Sequence, residues 1–356
     1  MIQSEHRSDR HNVTFIKEKK TTEWNIPTYL NIDTAVAAGA TEIDPALRVL
    51  WKSALGQETV SSGLIYDSGV DPSITFTLIE VGDHWAKQSP AAWVDQVVIS
   101  APGDGQSGLE WTGRAATAYW VGIAKSANDN TGGNTFTADS AGEARRAPVG
   151  ALVMFVAADG VTRVEGTDLA PRIVTATDPL TGVVTVDGAA FVDMDGLADA
   201  YLVYWEPEEP LVSVNNPQTG LVGSITIDTL SVSCVRSATV TLNNQHEAVE
   251  YCFGTDALAS PYFIPADRLS VEVEIELNLN ASLVEFLYRV QNFESHDINL
   301  DIGAIAGRHF HVDLPAVTFS VPEVSVPDAG SIPVTFSGMA YASSASAADE
   351  VTVSYL

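Results

Sequence analysis

The sequence predicts a mainly β protein with two similar β-sandwich or barrel units, each flanked by one α-helix, and a small β-barrel-like segment inserted between them. Three observations carry this prediction: many short runs rich in β-branched and aromatic residues, only two stretches with helical periodicity, and a pattern that recurs after each of those stretches. The expected domains are an N-terminal arm with the first unit (1–125), the insert with its linkers (126–210) and the second unit (211–356).

Strand signals run through the whole chain, and Gly, Asn, Asp and Pro fall between them as turn residues. Many of these runs alternate apolar with polar residues, which is typical of strands with one buried face. The expected strands are SITFTLIEV (73–81), WVDQVVIS (93–100), ALVMFVAADGVTRV (151–164), GVVTVDG (182–188), GSITIDTLSVSCV (223–235), ATVTLNN (238–244), LSVEVEIEL (269–277), HFHVDLPAVTFSV (309–321), IPVTFSGMAYA (332–342) and EVTVSYL (350–356).

Two stretches have the periodicity of amphipathic helices. IDPALRVLWKSALG (43–56) has Pro45 near its start and Gly56 as a stop, and its apolar residues form one stripe. NASLVEFLYRVQNF (280–293) has Asn280 or Ser282 as its N-terminal cap and a second apolar stripe. We therefore expect one helix in each unit.

A recurring pattern follows each expected helix. SITFTLIEVG, VVISAP (97–102) and LEWTGRA (109–115) follow the first, whereas INLDIG (298–303), VTFSVP (317–322) and VTFSGMA (334–340) follow the second. The three matches occur in the same order, so the sequence predicts an internal duplication. The segment between the units, with its DG, LTG and VDG turns, predicts a separate small barrel or meander.

Charge and composition restrict the possible functions. The net charge is −28, and the N-terminal arm concentrates basic residues at Arg7, Arg10, Lys17, Lys19 and Lys20. A surface this acidic repels phosphate, so ordinary DNA or RNA binding is disfavoured. The same repulsion suits a conduit through which nucleic acid slides without sticking. We expect no secretion leader and no membrane span, and we expect the two cysteines, Cys234 and Cys252, to be reduced thiols of a protein made in a reducing cytoplasm.

No catalytic or cofactor-binding motif stands out, so we expect neither an enzyme nor a cofactor. The best candidate for a metal site is His309 and His311, which share one strand face with Asp313. The alternative is the polar face of a structural strand or a subunit contact, since Phe310 and Val312 alternate with the histidines. That alternative is favoured, and no metal is predicted.

A second polar strand face carries three carboxylates. In LSVEVEIEL, Glu272, Glu274 and Glu276 share one face and four aliphatic residues share the other. Like charges in one row repel each other unless water or counterions surround them. The row indicates either an ordinary solvent-facing strand or a strand whose acidic face lines an aqueous channel.

The strand-rich halves, each with one helix, and the stretches VTFSVPEV, GSIPVTFSGMA and DEVTVSYL resemble the tail tube proteins of long non-contractile-tailed bacteriophages. The resemblance covers roughly 20–125 and 211–356. It implies β-sandwich units whose inner strands join those of neighbouring subunits into a ring, and rings that stack into a tube. It implies lumen positions for Glu272, Glu274 and Glu276. Contacts between subunits or rings would involve the five basic residues of the arm and Pro322, Glu323, Val324, Pro327 and Asp328.

The resemblance also implies partners and a location. A duplicated chain implies a trimeric, pseudo-hexameric ring, and a simple member of the family implies a hexameric ring. Further partners would be the tape measure, terminator and distal tail proteins, with DNA passing transiently and no membrane contact. The protein would reside in the virion tail after assembly in the host cytoplasm. The alternatives are a phage decoration protein, a bacterial surface adhesin, or a metal-dependent β-fold enzyme that uses His309 and His311.

Overall fold

A computed structural model gives the architecture. It describes residues 4–6, 12–15, 22–31, 43, 45–61, 63–68, 74–82, 84–125, 134–157, 171–188, 200–204, 218–219, 223–232, 235–249, 262–265, 269–280, 283–305, 308–324, 331–344, 347 and 349–356. The described chain is mainly β with large antiparallel sheets and two α-helices, which confirms the coarse fold class. Cys234 and Cys252 lie outside the described residues.

Both expected helices are present and slightly shorter than predicted. Helix α1 covers Pro45–Leu55 and helix α2 covers Leu283–Gln291. Proline suits the first turn of α1 because the missing N–H has no partner there. The Asn280 side chain accepts a hydrogen bond from the Leu283 amide at 3.2 Å and so caps α2. A short 3₁₀ helix covers Glu143–Arg146.

Within the described ranges, twenty-five strands make up the rest of the regular structure. They are β1 (Ser4–His6), β2 (Asn12–Phe15), β3 (Thr22–Tyr29), β4 (Gln57–Val60), β5 (Leu64–Asp67), β6 (Phe76–Gly82), β7 (Trp85–Pro102), β8 (Gly108–Ala115), β9 (Tyr119–Gly122), β10 (Ala124–Lys125), β11 (Thr135–Thr137), β12 (Leu152–Ala157), β13 (Arg172–Asp178), β14 (Val183–Val186), β15 (Ala200–Tyr204), β16 (Gly223–Ile227), β17 (Leu230–Val232), β18 (Val235–Asn243), β19 (His246–Val249), β20 (Tyr262–Pro265), β21 (Ser270–Asn278), β22 (His296–Ile305), β23 (Arg308–Phe319), β24 (Pro333–Ala340) and β25 (Thr352–Tyr355).

One large sheet joins both halves of the chain. Its main order is β17-β16-β22-β23-β24-β21-β18-β7-β8-β3, and β4, β5, β6, β9 and β25 attach along it. The halves meet where β18 pairs antiparallel with β7, in the register Val240 opposite Ile99. The two expected units therefore share one hydrogen-bonded sheet instead of packing as separate bodies.

The two halves of this sheet repeat one connection pattern. The first runs through β3, α1, β6, β7 and β8 and pairs its strands in the order β6-β7-β8-β3. The second runs through β21, α2, β22, β23 and β24 and pairs its strands in the order β22-β23-β24-β21. Each half has one long strand that changes partners at a single residue. Ala92 pairs with both Phe76 and Ala115, and Val317 pairs with both His296 and Ala340.

This pairing modifies the sequence match between the halves. LEWTGRA and VTFSGMA lie at the same place in the strand order, as β8 and β24. The strands that precede them, β7 and β23, do not match in the same way. By position in the sheet, Ala92 of β7 corresponds to Val317 of β23, whereas the sequence match aligned Val97 with Val317. The VVISAP and VTFSVP stretches look alike because both alternate apolar residues in one buried strand face, not because they hold equivalent positions.

Each helix packs an aromatic residue on the buried side of the equivalent strand. Trp51 of α1 contacts Trp111 of β8 edge to face, with ring centroids 4.8 Å apart. Phe286 of α2 contacts Phe336 of β24 at 4.9 Å. All four side chains belong to one continuous core beneath the large sheet. Aromatic pairs of this kind add to the free energy gained by burial, so each helix is held by its own aromatic contact.

The insert has its own sheet and core. Its six strands pair in the order β10-β15-β12-β13-β14-β11, and its core centres on Phe136, Phe155 and Leu202. That core also contains Ala86 of β7 and Val121 of β9, which precede the expected boundary at 126. The buried Gln88 side chain fastens the sheets together, since its amide donates to the Leu152 carbonyl at 2.6 Å and accepts from the Leu152 N–H at 2.7 Å.

Candidate functional site

The candidate site is the solvent side of six consecutive antiparallel strands, β24, β21, β18, β7, β8 and β3. Side chains alternate across these strands, so one side belongs to the core and the other faces outward. We call the outward side the polar face. It comprises Thr335, Ser337 and Met339; Glu272, Glu274 and Glu276; Ser237, Thr239, Thr241 and Asn243; Gln96, Val98 and Ser100; Glu110 and Thr112; and Asn25, Pro27 and Tyr29.

The three predicted glutamates lie on this face. Val271, Val273, Ile275 and Leu277 on the other side of β21 are at most 3% exposed, as the alternation predicts. Glu272 and Glu274 are exposed, and within the described part of the chain neither forms an ion pair. Glu276 is half-buried and accepts a hydrogen bond from the Arg236 guanidinium at 2.7 Å. Two of the three carboxylates are thus exposed to solvent without a cationic partner among the described residues.

Hydroxyl groups flank these glutamates on both sides. Thr239 and Ser337 lie directly opposite Glu274 on the neighbouring strands, and Thr241 and Met339 lie opposite Glu272. No like charge stands directly across from either glutamate, which avoids the repulsion that opposed carboxylates would suffer. The row of acids is therefore embedded in neutral side chains.

The first half extends the same surface. Glu110 of β8 accepts a hydrogen bond from the Asn25 side chain of β3 at 2.7 Å, and Thr112 lies opposite Asn25 in the register. Sequence reasoning missed this part of the site. The alternation in LEWTGRA and ATVTLNN would place Glu110 and Thr239 on outward faces, but only the β18–β7 pairing brings those faces into one surface.

The cations near the polar face are neutralised by local carboxylates. Arg114 donates to Asp95 at 2.7 Å and lies 5.5 Å from the Trp93 ring, while Arg236 is held by Glu276. A guanidinium between a carboxylate and an aromatic face is fixed in position and does not project into solvent. The exposed charge of the surface is therefore negative.

Two strand edges bound the polar face. Strand β3 is the last strand of the path, and Leu30 next to it donates its N–H to Ser107 at 2.9 Å. The N–H and C=O groups of successive residues point to opposite sides of a strand. Because the Leu30 N–H points toward the β8 side, the main-chain groups of Asn25, Pro27 and Tyr29 point away from β8. Pro27 has no N–H to present, which is typical of an edge strand.

The other edge belongs to the first half of β24. Pairing with β23 covers only Gly338–Ala340, and the last contact is the Ser320 N–H donating to the Ser337 carbonyl at 2.9 Å. By alternation, the main-chain groups of Thr335 and Pro333 point to the same side as that carbonyl. Among the residues that the structure describes, this stretch pairs only with β21, on its other side.

The predicted ring-contact residues are only partly described. Glu323 and Val324 are exposed and Pro322 is half-buried, in a non-strand segment that follows β23. Val321 next to them is also exposed, so the segment presents an apolar side chain at each end. Pro327 and Asp328, together with Arg7, Arg10, Lys17, Lys19 and Lys20, lie outside the described residues.

The two histidines of the alternative metal site share a carboxylate. The His309 Nε2 atom lies 3.0 Å and the His311 Nδ1 atom 2.7 Å from the same oxygen, Asp301 Oδ1 on β22. Asp301 stands opposite His311 in the strand pairing and was not among the predicted ligands. Within the described residues no group of three or more His, Cys, Asp and Glu side chains is arranged to hold a metal ion.

Asp313 shares this strand face with the two histidines. Burial raises the pKa of its carboxyl, the carboxylates of Asp297 and Asp349 raise it further, and the His311 imidazole opposes them. His309, His311 and Asp313 are all half-buried on the polar side of β23, whose other side belongs to the core.

Comparison with models of known protein families finds no match, and a search of curated protein sequences finds no relative. None of the helices in the described part of the chain has the length and apolar character needed to cross a membrane.

Proposed function

We propose that the protein is a structural subunit that closes into rings, and that stacked rings form a phage tail tube through which the genome passes. The observation that carries this proposal is the polar face, a continuous acidic and hydroxyl-rich surface to which both halves of the chain contribute neighbouring strands. A conduit for DNA needs a broad hydrated wall with little positive charge, and this surface has both properties.

The repeated strand order supports an internal duplication. Ala92 and Val317 change partners in the same way, and Trp51 and Phe286 pack on equivalent strands. Two equivalent units in one chain would let three subunits supply six quasi-equivalent sectors of a ring. A trimeric, pseudo-hexameric ring is therefore the assembly that we propose, in preference to a ring of six subunits.

The two edges that have no strand partner among the described residues support closure by strand pairing. An exposed strand edge is a hazard in a monomer because its N–H and C=O groups attract other strands. Pairing of the β3 edge of one subunit with the Thr335 edge of the next would satisfy these groups and extend the polar face around the ring. Identical head-to-tail contacts close when the rotation between subunits divides a full turn.

The basic N-terminal arm has a place in this scheme. In the second half, strand β18 precedes β21 in the chain and pairs with its edge. At the equivalent place in the first half, the segment that precedes β3 is the arm with its five basic residues. The proposal assigns the arm to a neighbouring subunit, where its cations meet an acidic surface and guide association. The tape measure, terminator and distal tail proteins would bind the ends of the tube.

Electron microscopy of the purified full-length protein tests the proposal. Negatively stained samples at rising concentration should contain rings and then hollow tubes whose pore admits duplex DNA. A protein that stays monomeric at every concentration, and also when mixed with the other tail proteins, contradicts it. A decoration protein would bind a preformed virion surface without forming tubes alone, and an adhesin would do neither, so the same images separate the alternatives.

A further inference from the structure

A hollow of about 730 Å³ opens where the β6–β7 hairpin meets the insert. Its wall includes His84, Trp85, Trp120, Glu143, Arg145 and Arg146. Its volume lies in the range of small-molecule sites, and it combines aromatic faces with a few polar groups, which is the usual make-up of such sites. It lies apart from the polar face and plays no part in the proposed tube wall.

Two exposed tryptophans dominate this hollow. Trp85 is 41% and Trp120 60% exposed, and their ring centroids are 4.9 Å apart with planes inclined by 50°. The other tryptophans that the structure describes, Trp24, Trp51, Trp93 and Trp111, are all at most 7% exposed. Leaving two neighbouring indoles in water forgoes the free energy of their burial, so the pair marks a binding surface.

The strand framework holds the two indoles in place. Trp85 lies opposite Gly122 and Trp120 lies opposite Lys87 in the β7–β9 pairing, which puts both side chains on one face. The Trp85 ring also covers Gly82, where a Cβ atom would come within 2.7 Å of it. A ligand therefore meets a surface that is formed in advance and loses little entropy in ordering it.

Positive charge adjoins the aromatic surface. Arg146 lays its stem against Gly122, donates to the Ile123 carbonyl at 2.7 Å and lies 3.7 Å from the Glu143 carboxylate, so it is part of the wall. Arg145 precedes it in the same short helix, and its exposed side chain is the one that can reach a ligand carboxylate. The chain has 18 basic residues against 46 acidic ones, so two adjacent arginines beside two exposed tryptophans are a local exception to its charge.

We propose that this hollow binds an oligosaccharide that carries carboxylate groups, such as an acidic surface polysaccharide. The apolar face of a sugar ring stacks on an indole while its hydroxyls remain in water, and a guanidinium recognises a carboxylate with two parallel hydrogen bonds. Single-stranded nucleic acid also stacks on aromatic residues, but the proteins that bind it usually have a basic groove that follows its backbone. Here the basic residues of the wall are confined to one hollow and lie beside Glu143, which suits a short acidic oligosaccharide better.

Calorimetric titration of the full-length protein tests this site with three probes: oligogalacturonate, the same oligosaccharide with its carboxylates methyl-esterified, and oligo(dT). Oligogalacturonate should bind saturably and more tightly than the ester. Trp120→Ala should weaken binding about tenfold, as expected for the loss of one stacking platform. Trp120→Tyr, which keeps a flat ring, should weaken it less. Arg145→Gln should reduce the affinity for the acid to that for the ester.

Several results would overturn the site. They are no saturable binding of either oligosaccharide, binding that Trp120→Ala leaves unchanged, equal affinity for the acid and its ester, or tighter binding of oligo(dT). Trp120 and Arg145 are both exposed, so their variants should fold, and an unchanged melting temperature confirms that. The site does not depend on tube formation, because each titration also works with a monomer.

Discussion

Gly113 and Gly338 hold equivalent positions in the two halves of the large sheet. Each lies two residues before an alanine, Ala115 or Ala340, that pairs with the residue at which the long strand of its half changes partners. Both glycines lie under a neighbouring strand. A Cβ atom would come 2.0 Å from the Trp93 carbonyl oxygen at Gly113, and 2.7 Å from the Thr318 carbonyl oxygen at Gly338. The same backbone approach thus excludes a side chain at both places, which supports the internal duplication that we propose.

Replacing either glycine with alanine should destabilise the fold. Gly113→Ala should lower the free energy of unfolding by about 2 kcal/mol or more, and Gly338→Ala by somewhat less, because its clash is milder. Urea denaturation measures both. Gly142→Ala is the control, since a Cβ atom there meets nothing within 4 Å and the backbone is in the ordinary helical region. Equal denaturation midpoints for all three variants would contradict the close backbone approach at Gly113 and Gly338.

Glu58 should make stability depend on acidic pH. Burial by itself would raise the pKa of this carboxyl, but hydrogen bonds from Arg48, Lys52 and Tyr66 outweigh it and lower the pKa to about 2. A lowered folded-state pKa stabilises the protein above the ordinary value near 4.5 and ceases to do so as the pH falls toward 2. Glu58→Gln should therefore cost about 1–3 kcal/mol at neutral pH, and less as the pH falls below about 4.5.

Denaturant titrations of the wild type and Glu58→Gln between neutral pH and pH 2 measure this difference. Glu80→Gln is the matched control, because Glu80 pairs with Lys87 on the surface and such pairs contribute about 0–1 kcal/mol. A constant difference between wild type and Glu58→Gln across the range would mean that Glu58 is not ionised in this network.

Thr335→Pro should impair assembly without unfolding the subunit. The Thr335 main chain points to the open side of β24, so proline removes an N–H from the edge and spares the pairing with β21. Size-exclusion chromatography and electron microscopy should show subunits that stay smaller than rings. Thr335→Val, which keeps the N–H, should assemble like the wild type. Normal tubes from the proline variant would exclude this edge as the subunit contact.

Charge reversal on the polar face should trap DNA. Tubes of Glu272→Lys/Glu274→Lys should assemble normally but retain duplex DNA, and salt should release it, because lysines exchange counterions for phosphate contacts. Asp139→Lys/Glu285→Lys changes the net charge equally at exposed sites away from the polar face and should retain none. Cosedimentation with labelled DNA gives the measurement, and equal retention by both variants would remove the glutamates from the lumen.

Much of the site was accessible from local pattern. The alternation in LSVEVEIEL predicts which side of β21 is buried, and the structure confirms it for Val271, Val273 and Ile275 on one side and Glu272 and Glu274 on the other. Strand β3 was missed, because Pro27 interrupts its pattern and only an edge position tolerates a proline there. Asp301 was missed as the partner of the histidines because it belongs to another strand.

The sequence by itself determined the properties that depend on neighbours along the chain: the β class, the two helices, and the buried and exposed sides of regularly alternating strands such as β21. Only the tertiary structure decided which strands are adjacent, and with that the continuous polar face, the two edges that lack a strand partner among the described residues, and the meeting of Trp85 with Trp120. The physical reason is that side-chain alternation is a local property of a strand, whereas its partner and register depend on packing against residues far away in the chain. The VVISAP and VTFSVP match illustrates this, since equal alternation concealed a different register.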